Sequence, residues 1–196
     1  MVFPRFHVVT DSLDVVRAVV GYGSVAVQIR VKSSDRLAYE LTVAALPLCR
    51  AAGALCLVDD RVGVALAAGA DGVHVGADDL PVAAARRILG PAAILGATAR
   101  TPEAGRRAVA DGASYLGVGP AYSTSTKDGL PAPIGPAGIG AVAAAVDVPV
   151  IAIGGVTVDR VAPLRRVGAS GVAVVGALSG APDPASAAAA FVAALR

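Results

Sequence analysis

Eight short apolar runs are spread along the whole chain, and their spacing limits the fold more than any other feature. They lie at 6–10, 25–30, 54–58, 72–75, 94–97, 115–118, 150–153 and 171–175, each four to six residues long and rich in Val, Ile or Leu. Continuous apolar runs of this length suit strands buried on both faces, as in a parallel sheet. Helical segments alternate with them at 35–52, 82–89, 137–146, 158–167 and 184–195, with a shorter and weaker one at 12–19. Ser33 or Ser34 can cap the first of these; Thr101 followed by Pro102 opens another, with Thr as N-cap and Pro in the first turn.

One phrase recurs at the joints. Gly69, Ala70 and Asp71 are matched by Gly112, Ala113 and Ser114, and by Gly168, Ala169 and Ser170. In each, a glycine can end a helix in the left-handed region just before a strand begins. Eight strand–helix units in 196 residues leave about 24 residues per unit, tight but workable for a small α/β (β/α)8 TIM barrel. An open doubly wound sheet is the alternative. The barrel is preferred because the count reaches eight and polar clusters follow several different strands. Residues 1–196 are expected to form one domain.

Composition removes other classes. The net charge is +2, there is no Trp, and no basic run reaches five residues, so nucleic acid is not an expected partner. No apolar stretch approaches the roughly 18 residues of a membrane span, and the N-terminus lacks the pattern of a signal peptide. Cys49 and Cys56 sit among apolar neighbours without a nearby third ligand. They read as buried free thiols in a reducing cytoplasm.

A barrel places its chemistry at the C-terminal ends of the strands. After the second run, Gln28, Arg30 and Lys32 share one face by alternation and present an amide and two cations, which suits an anionic, phosphate-like ligand. The third run ends in Asp59 and Asp60, and Asp78 and Asp79 follow the fourth. Carboxylates from neighbouring strands suit Mg²⁺, which takes one or two and completes its shell with water and phosphate. The plain alternative is that Asp60 and Asp79 cap helices. His74, inside the fourth run, reads as a packed barrel histidine rather than a base.

A long loop at 119–129 follows the sixth run, with Ser123, Thr124, Ser125, Thr126 and Lys127. Its hydroxyls and cation can clamp a phosphate or leaving group, and its Gly and Pro residues suit a lid. Gly154 and Gly155 end the seventh run, and Val175 and Gly176 the eighth. Glycines at those two strand ends are the usual barrel phosphate site. Two phosphate pockets imply two phosphorylated substrates, or one doubly phosphorylated one.

Taken together, residues 27–32, 59–61, 69–76, 79–81, 117–127 and 152–155 resemble the thiamine-phosphate synthase family and its relative, the thiazole tautomerase. The resemblance spans nearly the whole chain, and the 119–127 segment is specific to the synthase branch. It implies a transferase that joins hydroxymethylpyrimidine diphosphate to thiazole phosphate and releases diphosphate. It also implies roles. Arg30, Lys32 and Lys127 would hold the diphosphate, and Asp60 and Asp79 would bind Mg²⁺. Gln28 and Thr98 would lie by the pyrimidine. Thr124 and Thr126, with the backbone of Gly155, Val175 and Gly176, would take the thiazole phosphate. Three positions depart from the family's pattern: Asp59 on the substrate side where Asn is usual, Ala77 where Gln is usual, and Arg100 where a His is common. A diverged paralogue is the competing expectation, either a tautomerase-type isomerase or a non-catalytic phosphate-ligand binder. Small phosphorylated molecules are the expected partners, and a homo-oligomer is left open.

Overall fold

The computed structural model describes residues 3–124, 129 and 131–196. Eight strands form one closed, all-parallel barrel in sequence order, with β1 hydrogen-bonded to β8. They are β1 (Phe6–Thr10), β2 (Val25–Ile29), β3 (Leu55–Asp59), β4 (Gly72–Val75), β5 (Ile94–Ala99), β6 (Tyr115–Val118), β7 (Val150–Ile153) and β8 (Gly171–Val174). The expected (β/α)8 TIM barrel is therefore the observed fold, with strand bounds shifted by no more than two residues.

The helices are α1 (Leu13–Val19), α2 (Asp35–Ala52), α3 (Val62–Ala68), α4 (Val82–Leu89), α5 (Pro102–Ala110), α6 (Gly135–Ala143), α7 (Val158–Arg166), α8 (Gly176–Ser179) and α9 (Pro184–Ala194). The N-caps follow the local chemistry. Ser34, not Ser33, caps α2 by accepting from Leu37 N–H at 3.2 Å, and Thr101 caps α5 from Ala104 N–H at 3.2 Å. Sequence reading passed over α3, whose all-apolar VGVALAA stretch carries neither a capping side chain nor a polar face. Helix α6 starts and ends earlier than its apolar pattern suggested.

The recurring joints share one bonding scheme. The Asp71 carboxylate accepts from Cys56 N–H at 2.7 Å, Ser114 Oγ from Leu95 N–H at 3.1 Å, and Ser170 Oγ from Val150 N–H at 3.2 Å. In each case the residue's own N–H donates back to the carbonyl of that same partner. Gly69, Gly112 and Gly168 all have positive φ, which lets the chain turn from helix into strand. An arginine donates into each joint: Arg50 of α2 to the Gly69 carbonyl, Arg86 of α4 to the Gly112 carbonyl and Ser114 Oγ, and Arg165 of α7 to the carbonyls of Ala169 and Ser170.

The core has two layers. Val, Leu, Ile and Ala side chains fill the space between strands and helices, including the buried free thiols Cys49 and Cys56. Inside the barrel Ala26, Leu55, Leu57, Tyr115, Ile151 and Ala173 pack together, and the rings of Phe3, His7, Tyr115 and His74 contact one another at centroid distances of 5.1–5.5 Å. Bulky rings fit there because strand neighbours are glycine: a Cβ on Gly117 would sit 2.8 Å from the His74 ring, and one on Gly96 would overlap Tyr115. Among the described residues no helix is long and apolar enough to cross a membrane.

Candidate active site

A cavity of about 820 Å³ opens where the strands end. Gln28, Arg30, Lys32, Asp59, Asp60, Thr98, Thr124, Gly155, Val175 and Gly176 all line it, so one barrel mouth gathers these residues from six strand ends or the loops after them. Asp79 stands just behind this wall: its Oδ2 accepts from the N–H of Gly76, which does line the cavity, at 2.7 Å. Thr126 and Lys127 lie outside the described residues.

The acidic side is built from β3 and β4. Asp59 ends β3, accepts from the Gln28 side-chain amide, and pairs with Arg30 Nε at 3.2 Å. The Asp59 carboxylate is thereby paired with a cation within the wall. Asp60 turns the chain with φ 64°, in the left-handed region that Asp tolerates better than most residues, and its N–H donates to the His74 carbonyl at 2.8 Å. Burial and the neighbouring Asp59 and Asp79 carboxylates push its pKa up to about 7. Neither Asp60 nor Asp79 caps a helix. The caps of α3 and α4 are Arg61 and Pro81, without a side-chain bond, so the structural alternative considered for both carboxylates is absent.

A group that is costly to ionise beside two other carboxylates is a site that a divalent cation would relieve. All donors are hard oxygens. Among the described residues no three or more His, Cys, Asp or Glu side chains form a cage for a metal; Asp60 and Asp79 supply two carboxylates, the number Mg²⁺ usually takes from a protein. The residues present therefore fit Mg²⁺.

Two residues, Arg61 and Arg160, were given no role by sequence reading, and others do more there than it foresaw. Arg61 donates from Nε to the Val31 carbonyl at 3.1 Å, from Nη2 to the Lys32 carbonyl at 2.9 Å, and from Nη1 to the Asp35 carboxylate. It binds the loop carrying Lys32 to the turn carrying Asp60. Arg160, in the first turn of α7, donates to the Gly155 carbonyl at 2.6 Å and lies 4.4 Å from the centroid of the Tyr122 ring. Gly154 and Gly155 do more than expose backbone: side chains there would strike Pro120 and the Tyr122–Ser123 backbone, so the pair lets the β6 loop cross the end of β7. Arg100 lines the cavity and donates to the Ala132 carbonyl at 3.2 Å. His74 is held between Tyr115 Oη and Thr98 Oγ1, each at 3.0 Å, and burial lowers its pKa. This is the packed role its sequence position suggested.

A family model described as thiamine monophosphate synthase matches residues 2–178. The chain belongs to the thiamine-phosphate synthase family. A thiamine-phosphate synthase of Salinispora arenicola (strain CNS-205) is 59% identical, with 97% of each chain covered, and one of Salinispora tropica is 55% identical at the same coverage. Among solved structures, the thiamine phosphate pyrophosphorylase of Pyrococcus furiosus superposes with a TM-score of 0.89 at 34% identity, covering 97% of this chain and 95% of its own. A 3-hexulose-6-phosphate synthase matches with a TM-score of 0.78 at 20% identity and shares the fold. Family membership over nearly the full chain makes this a transferase of the synthase type. The isomerase and non-catalytic alternatives are not favoured.

Proposed function

We propose that the enzyme couples hydroxymethylpyrimidine diphosphate to thiazole phosphate by a dissociative substitution in the barrel-mouth cavity. The observation that carries this assignment of roles is the convergence of Arg30, Lys32 and Asp60 with Gly155 and Gly176 on one cavity. The bond between the pyrimidine methylene carbon and the diphosphate oxygen breaks heterolytically, and its electron pair leaves with the diphosphate. The thiazole nitrogen lone pair then forms the new C–N bond, leaving a thiazolium cation. No proton needs to move, so the protein's task is alignment and charge neutralisation.

Arg30 and Lys32, with Lys127 from the β6 loop, would bind the departing diphosphate. Gln28 and Thr98 would border the pyrimidine, with Asp59 bracing Gln28. Thr124, Thr126 and the backbone at Gly155, Val175 and Gly176 would take the thiazole phosphate. Asp60 and Asp79 would hold Mg²⁺, which when bound neutralises charge on the diphosphate. Two buried free thiols favour the reducing cytoplasm as its location.

The test is a diphosphate-release assay with both precursors and Mg²⁺. Release is expected only when both substrates and the cation are present. Asp79→Ala and Lys127→Ala are each expected to abolish turnover with an unchanged circular-dichroism spectrum. Near-normal rates in both variants would remove the site assignment.

A further inference from the structure

We infer that Tyr115 and His74 act as positioning residues that fix the Thr98 hydroxyl as a hydrogen-bond donor to the cavity, so that this wall selects a ligand ring presenting an acceptor atom. The identity of the ligand rests on the pyrimidine subsite proposed above; the polarity of the chain of bonds does not.

The three groups come from β4, β5 and β6, and strand register brings them together. His74 pairs with Gly96 across the β4–β5 ladder, and Thr98 with Gly117 across β5–β6. Gly96 and Gly117 leave the space that the His74 ring and the Tyr115 ring enter. His74 Nδ1 lies 3.0 Å from Tyr115 Oη, and Nε2 lies 3.0 Å from Thr98 Oγ1.

Proton accounting sets the direction. Tyr115 is 1% exposed, and among the described residues its hydroxyl has one hydrogen-bond partner, His74. Were Nδ1–H to donate to Tyr115, the phenolic proton would be buried with no acceptor, at a cost of about 1–3 kcal/mol. The favoured arrangement has Tyr115 O–H donating to Nδ1. A neutral imidazole then carries its proton on Nε2 and donates it to Thr98 Oγ1. With that lone pair engaged and no other partner among the described residues, the Thr98 proton is directed into the cavity it lines. Gln28 supplies the opposite sign nearby. Its Nε2 is committed to the acceptor-only Asp59 carboxylate, which leaves Oε1 as an acceptor. A donor and an acceptor in one wall match an aromatic ring that has an acceptor nitrogen and a donor substituent.

The experiment combines a spectrum with kinetics. The chain has two histidines, so ¹⁵N-histidine labelling gives two sets of ring signals, assigned with a His7→Gln or His74→Gln variant. Long-range ¹H–¹⁵N spectra at pH 8 are expected to show His74 with Nε2 protonated and Nδ1 bare. Tyr115→Phe is expected to abolish that single tautomer and raise KM for the pyrimidine diphosphate about tenfold, with KM for thiazole phosphate unchanged. Thr98→Val is expected to leave the tautomer intact and raise the same KM about tenfold, with Thr98→Ser restoring it. Because Tyr115 acts through Thr98, the double variant should be no worse than Thr98→Val alone. A wild-type Nδ1–H tautomer overturns the inference, as do additive effects in the double variant. If the wild-type enzyme releases no diphosphate, the functional reading fails, and the spectrum alone still decides the polarity.

Discussion

At the scale of single residues, the acidic turn Asp59-Asp60-Arg61 shows how three neighbours can serve three masters. Asp59 faces back to brace Gln28 and Arg30, Asp60 faces the other carboxylates, and Arg61 reaches across to the next loop. Sequence reading found the carboxylates because strand ends are where a barrel puts polar groups. It read Asp59 as a residue on the substrate side; Asp59 lines the cavity and also braces Gln28 and Arg30, contacts that sequence reading did not foresee. Arg61 was unreadable: its partners Val31 and Lys32 are 30 and 29 residues away, and two are backbone carbonyls that leave no compositional trace. Its planar fork uses three directions at once, which Lys cannot imitate. Arg61→Ala and Arg61→Lys are both expected to lower kcat/KM about 10–100-fold, mainly through KM for the pyrimidine diphosphate, since misplacing a binding group by about 1 Å costs on that order. Steady-state kinetics checks this; a change below about twofold would show that the Lys32 loop needs no such clamp.

At the scale of elements, the strands were legible because both their faces are buried, so a short unbroken apolar run has few other meanings. Helix α3 was not, since an apolar heptapeptide without a cap carries no period to detect. The Gly-Ala-Asp/Ser joints were visible as a repeat, but their bonding scheme was not, because the acceptor's partner lies 15–20 residues earlier. Two substitutions separate what side chain and backbone contribute there. Ser114→Ala removes the side-chain bonds that Ser114 Oγ accepts from Leu95 N–H and Arg86 Nη2 and is expected to cost about 1–2 kcal/mol in urea unfolding. Gly72→Ala would drive a methyl group into the Ile94 backbone and is expected to cost about 3 kcal/mol or more. Equal losses would mean that the joint depends on neither close approach.

At the scale of the whole molecule, a buried histidine and a half-buried carboxylate bend the pH dependence of stability in opposite directions. Burial holds His7 down at about 3 from an ordinary 6.5. The unfolded chain therefore binds a proton that the folded one does not between those values, and stability falls as pH drops through that window. Asp60, held up at about 7 from 3.8, binds its proton in the folded state first, so the metal-free protein loses stability as pH rises from about 4 to 7. Each slope is at most about 1.4 kcal/mol per pH unit. Asp60→Asn removes the second slope, and Asn suits the left-handed turn. In chelator, the variant's melting temperature is expected to exceed that of the wild type above pH 7, with the gap closing towards pH 4. A gap independent of pH would show that Asp60 ionises normally.

The joints have one more consequence. Their side-chain bonds tie β3 to β4, β5 to β6 and β7 to β8 at the floor of the barrel. Two of the intervening seams are stitched by side chains at the rim: β2 to β3 by Gln28 and Arg30 on Asp59, and β4 to β5 by His74 on Thr98. Those rim stitches also line the cavity. The barrel is thus held shut partly by its own cavity wall, so a substitution made there to change the pocket also loosens the scaffold.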